Sequence, residues 1–180
     1  MAHETLLYDC CEAILDVCEA ALTVAPDRTF ITDGDPTSMF MDCPYLAVSM
    51  APSGMFRSIN TRARGNSLPG RPTMKTGIPQ VTFLVTHISD VCWPTQTDEG
   101  EMPLPADISA AALGVLTDRK LIWSALWDAT ADGSLFAGLL AGNDCASLGE
   151  QPATMFGPAG MNAGTQYRIY ADLIAAPEAS

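Results

Sequence analysis

Leu7, Cys11, Ile14, Cys18 and Leu22 recur at spacings of three and four, while Glu4, Asp9, Glu12, Asp16 and Glu19 fill the other side. That period predicts an amphipathic helix over residues 4–24, ended by Pro26. Glu4, Asp9 and Glu12 lie towards its N-terminal end, where the helix dipole favours anions. Residues 27–42 read as a connector with turn chemistry in Asp33-Gly34-Asp35-Pro36. Residues 43–50 read as a strand, and Pro44 restricts it to a strand start or an edge. Met55 to Ile59 extends that strand or turns back from it. Gly65, Asn66, Pro69, Gly70, Pro72 and Gly77 then mark a long loop or arm.

Residues 78–91 carry the strongest strand pattern. Val81, Phe83, Val85, His87 and Ser89 take one face, and Thr82, Leu84, Thr86, Ile88 and Asp90 take the other. Apolar groups on both faces suit a central strand covered on one side and partly on the other. A second helix opens at Leu104-Pro105-Ala106-Asp107, with Pro in the first turn. Its buried stripe is expected to be Ile108, Ala112, Val115, Leu116, Ile122, Trp123 and Leu126, with Arg119 and Lys120 exposed and the end near Asp128. Leu135 to Leu140 reads as a short helix or strand, Gly157-Pro158-Ala159-Gly160 as a turn, and Gln166 to Ile174 as a final alternating strand. The expected class is α+β, with a mainly antiparallel three- to four-stranded sheet, two amphipathic helices on one face, and long loops or arms. One domain spans 1–180, with a basic arm at about 57–77 and a stretch at about 129–163 set apart as an insertion.

Charge changes this picture most. The chain of 180 residues has a net charge of −12, yet Cys43 to Ser89 contains no acid. That window holds Arg57, Arg62, Arg64, Arg71 and Lys75, leaving −17 on the remainder. An overall acidic balance argues against a general DNA or RNA binder, which needs a basic face for phosphates. The basic stretch suits instead an acidic protein surface, on a partner or on a second copy. The acids Asp98, Glu99 and Glu101 are the matching interface candidates on the acidic side.

The chemistry-bearing residues form no catalytic constellation. The six cysteines include no CxxC pair, and three of them lie in the first helical pattern, so they read as buried free thiols rather than zinc ligands. His87 sits within a strand pattern and reads as a structural histidine. Asp33-Gly34-Asp35 lacks the further ligands of a calcium loop. Gly157-Pro158-Ala159-Gly160 is followed by no Lys-Ser/Thr, so it is no phosphate loop. No catalytic residue, cofactor or metal ligand is therefore assigned. The first residues, Met-Ala-His-Glu-Thr, lack the features of a signal peptide, which sets the expectation of a reducing compartment. The longest apolar run, Leu135 to Gly142, is too short to span a bilayer.

Several phrases resemble the neck and tail-completion proteins of long-tailed actinobacterial phages. They are Leu6-Leu7-Tyr8-Asp9-Cys10, Cys43-Pro44-Tyr45-Leu46-Ala47-Val48, Pro79-Gln80-Val81-Thr82-Phe83-Leu84-Val85 and Cys92-Trp93-Pro94. To these add Pro103-Leu104-Pro105-Ala106-Asp107, the helix from Ala110 to Asp118, and Tyr167-Arg168-Ile169-Tyr170-Ala171-Asp172-Leu173. Within that group the element order is most similar to a tail terminator. The other neck subunits, head-to-tail stoppers and adaptors, are more often mainly β or mainly helical. The resemblance implies a homo-hexameric ring in the virion that caps the tail tube, stops its polymerisation and joins it to the head-side connector. It implies as partners the tail tube protein, the head-to-tail stopper, and phage DNA in transit through the lumen. It implies no catalytic residues, no cofactor and no membrane.

Overall fold

The computed structural model describes residues 3–23, 26, 28–33, 44–51, 56–58, 77–92, 104–140, 147–157 and 160–172. The first helix, α1, runs His3–Ala21. It is followed by strands β1 (Thr29–Thr32), β2 (Tyr45–Ala51), β3 (Phe56–Ser58) and β4 (Gly77–Cys92). Helix α2 spans Pro105–Ala131, and strands β5 (Ser147–Gly157) and β6 (Gly160–Asp172) complete the order. The sheet runs β1-β2-β4-β6-β5, with β3 also paired to β4.

The α+β class holds, and both helices pack on one face of the sheet. Their shared core takes Leu46 and Val48 from β2, Val81, Phe83 and Val85 from β4, and Tyr167, Ile169 and Ala171 from β6. The other face carries a second cluster of Tyr45, Ala47 and Ile88, against which Phe30 packs. β4 is central, as its two-faced pattern requires. It pairs antiparallel with β2 from Ala51↔Thr82 to Tyr45↔Ile88, and with β6 from Gln80↔Asp172 to Ile88↔Gly164. On the face away from the helices, Gln166 Nε2 donates to Thr86 Oγ1 at 3.2 Å. A hydrogen bond satisfies two buried polar groups that would otherwise cost stability.

The sheet is wider than the sequence pattern predicts, and it is mixed. β1 lies within the expected connector and pairs parallel with β2. β5 lies in the stretch 129–163 and pairs antiparallel with β6 along its whole length, closing at Gly157↔Gly160. β3 extends β2 rather than turning back, because both run antiparallel to β4 and meet successive parts of it. Register between β4 and β6 shifts after Ile88↔Gly164, resuming at Cys92↔Asn162. Ser89 Oγ donates to the Ala163 carbonyl at 2.9 Å, and Asn162 Nδ2 donates to the Ser89 carbonyl at 3.1 Å, so side chains bridge the irregularity. Gly164 is required there: a Cβ would collide with the His87 carbonyl oxygen and with Ile88.

The helices differ in how they are covered. α1 ends at Ala21, short of the expected residue 24, and buries Leu6, Cys10, Cys11, Ile14, Leu15 and Cys18, with Leu22 buried just past its end; this is a broader stripe than the one read from the sequence, and Leu7 is only partly buried. α2 starts as predicted, with Leu104 extended, Pro105 in the first turn and Asp107 beside it. It runs past Asp128 and ends at a left-handed Gly133, with φ of 74°. Ser134 N–H donates to Asp132 Oδ1 at 2.8 Å, and Leu135 N–H to the Ala129 carbonyl at 2.9 Å. That turn folds Leu135, Phe136 and Leu140 back into the core, where Phe136 meets Phe83 with ring centroids 5.6 Å apart. The stretch 129–163 is thus built into the body of the fold. The expected buried stripe of α2 is corrected. Among its residues only Ile122, Leu126 and Ala129 are buried, and Ile108 and Leu116 are exposed.

Candidate functional site

Of the sequence-derived interface residues, Arg57 alone falls in described structure. It lies in β3, its backbone opposite Ile78 of β4. Arg62, Arg64, Arg71, Lys75, Asp98, Glu99 and Glu101 lie outside the described residues. The ends of the basic stretch are nevertheless placed: Ser58 and Gly77 are register partners at the start of β4.

Two surfaces stand out that were not read from the sequence. The first is an apolar face on α2. Leu104, Ile108, Leu113, Leu116 and Trp127 are between 43% and 67% exposed. The first half of α2 carries apolar groups on more than one side, and the sheet covers only the second half. Leu113, Leu116 and Trp127 are the exposed apolar members of a three–four alternation that also takes in Lys120 and Trp123, of which Trp123 is partly buried and packs against the core. That is the spacing of a helix seam that packs against a partner. Trp123 and Trp127 stack along it, with centroids 6.2 Å apart and planes at 20°. Tyr167 is fully buried and its hydroxyl donates to the Arg119 carbonyl at 3.3 Å, which ties α2 to β6. The three–four spacing was the available signal. It was absorbed into one broad stripe because the sequence does not say how much of a helix its sheet reaches.

The second surface is a groove of about 380 Å³ between α1 and β1. Tyr8, Glu12, Leu15, Asp16 and Glu19 line one wall, and Thr29, Phe30 and Ile31 line the other. Helical spacing puts Tyr8, Glu12, Asp16 and Glu19 on one side of α1, and the helix contains no Lys or Arg. The Glu12 carboxylate beside Tyr8 raises the phenol above its ordinary range, and partial burial and a hydrogen bond to Glu12 add to it. The outward acids of α1 were legible in the sequence. The strand that makes them one side of a groove was not.

The thiols of α1 are chemically quiet. Burial pushes Cys10 and Cys11 up to about 12, with further contributions from Asp9 and Cys10 respectively. Burial, then Glu19, raises Cys18 as well. All three are free, buried and protonated at neutral pH, the reverse of a reactive thiolate. His87 is buried in β4 between Leu46 of β2 and Thr165 of β6. Among the described residues no group of three His, Cys, Asp or Glu is arranged to hold a metal ion. No described helix is long and apolar enough to cross a membrane. No protein-family model matches the chain, and no curated protein matches it.

Proposed function

We propose that this chain is a structural subunit of the head–tail junction of a long-tailed phage. In this reading it is a tail terminator: copies form a six-membered ring that caps the tail tube, stops its growth and joins it to the head-side connector. The observation that carries the reading is the exposed apolar face of α2. Soluble monomers rarely leave a run of large apolar side chains open to water, and such a run marks a protein–protein contact. A ring closes through a heterologous interface, in which two different surfaces of each subunit meet. An α+β body with two long helices favours a terminator over a stopper or adaptor.

Light scattering across a range of concentrations tests self-assembly. The expected particle is about six subunits, and Leu113→Ser with Leu116→Ser dissociates it. A chain that stays monomeric at every concentration and does not sediment with tail tubes overturns the assembly. Tail length tests the role: particles lacking the protein should carry tubes of unregulated length. Tubes of normal length would leave the terminator assignment without support.

A further inference from the structure

We infer that the α1–β1 groove is the seat for the basic segment of a second copy of this chain, which enters it as an added strand on the open edge of β1. The inference rests on the self-assembly reading and names the surfaces that meet.

β1 ends the sheet, and among the described residues no strand pairs with its outer side. Leu46 N–H donates to the Arg28 carbonyl at 2.9 Å. Backbone groups alternate sides along a strand, so the N–H and C=O of Thr29 and Ile31 point away from β2, towards the groove's open side. A strand edge of this kind is a template for an extended peptide. Facing it across the groove are Glu12, Asp16 and Glu19, with no cation on the helix that carries them.

The complementary chemistry is in the same chain. Residues 57–75 hold five cations and no acid. From Ile59 to Arg64 the residues alternate: Ile59, Thr61 and Ala63 on one side, Asn60, Arg62 and Arg64 on the other. As an added strand this stretch turns its two guanidiniums to one face and its small apolar groups to the other. The acids on α1 meet the guanidinium face, and on the opposite face of the sheet Phe30, packed beside Tyr45, lies next to the apolar one.

Topology favours a second copy over the chain's own groove. Through β2, the strand β1 lies level with Leu84–His87 of β4. The basic segment leaves at Ser58 and returns at Gly77, and β3 runs antiparallel to β4 there. Its exit therefore heads off the end of the sheet, about 20 Å from the level of β1 at the rise of a strand.

The test uses the full chain and its charge variants. Glu12→Lys with Asp16→Lys reverses the groove, and Arg62→Glu with Arg64→Glu reverses the segment. Each pair is expected to weaken self-association about tenfold at low salt, the scale of two exposed ion pairs turned into repulsions. Combining all four substitutions should restore most of it. If the groove variant associates like the parent while Leu113→Ser with Leu116→Ser dissociates it, the groove inference fails and the assembly reading stands. A labelled peptide of residues 56–77 gives a second readout by fluorescence anisotropy. Binding to the parent that is lost in the groove variant supports the inference even if no ring forms. Equal binding of a scrambled peptide overturns strand addition in favour of bulk charge attraction. A strict monomer that binds the peptide only after residues 59–76 are replaced by an Asn-Gly turn places the segment in its own groove, and overturns the second-copy assignment.

Discussion

The two helices rest on the same sheet and meet it differently. α1 buries an apolar stripe along its length and turns its acids outward. α2 is longer, buries Ile122, Leu126 and Ala129 in its second half, and leaves Ile108, Leu113 and Leu116 open in its first. Both have the apolar content of a core helix. Apolar periodicity therefore identifies apolar faces, and the reach of the sheet decides how much of each is covered.

The largest effect is expected in the sheet on which both helices lie. Gly164→Ala drives a Cβ into the His87 backbone, which a side-chain rotation cannot relieve. A loss of about 3 kcal/mol or more should follow in denaturant unfolding, with both helices melting together by circular dichroism. A surviving α1 signal would separate the two helices more deeply than the shared core implies.

The comparison itself is sharpest within α2. Leu126→Ala opens a cavity in a fully buried site and should cost about 3 kcal/mol. Leu113→Ala, measured on dilute protein, should stay within about 0.5 kcal/mol of the parent. Equal losses at both positions would mean that the first half of α2 is covered within a single chain.

Alkali should strike through α1. The folded state holds the Cys10 and Cys11 thiols protonated up to about 12, against 9.0 for the free group. Between those values the folded chain binds more protons than the unfolded one, so stability falls as pH rises. It is fully present below about pH 9 and lost progressively above it, which urea unfolding at stepped pH reads directly. Replacing Cys10, Cys11 and Cys18 by Ala should flatten that slope while lowering the plateau.

The smallest effect is at the end of α2. Thr130 Oγ1 is buried without a hydrogen-bond partner among the described residues. Thr130→Val keeps the shape and removes the desolvated hydroxyl, for a gain of about 1 kcal/mol in thermal unfolding.

Much of the fold was legible in the sequence because its signals are local. The thiol-bearing stripe of α1, the two-faced alternation of β4, the Pro105 start of α2 and the alternation of Tyr167, Ile169 and Ala171 each report their own element. β1 was missed because four residues just before Asp33-Gly34-Asp35-Pro36 give no readable period, and its pairing comes from β2. β5 was missed because Gly149, Glu150 and Pro152 are poor strand formers, and they are held by β6 alone on a sheet edge. The candidate site was half legible for the same reason. Acids on one helix face can be read locally, but the groove exists only where a distant strand lies beside them.

The position of β6 sets a timetable for the molecule. It is synthesised after every strand it joins, yet it sits between β4 and β5. Its pairing with β4 spans the sequence from Gln80 to Asp172, and contacts so distant along the chain form slowly. A growing polypeptide on the ribosome therefore holds β4 with one side unfilled until its last strand emerges. The chain acquires the complete floor under its helices in one late step. Quality control is then inherent in the chain order: a product truncated before β6 leaves β4 paired on one side only and β5 without its partner.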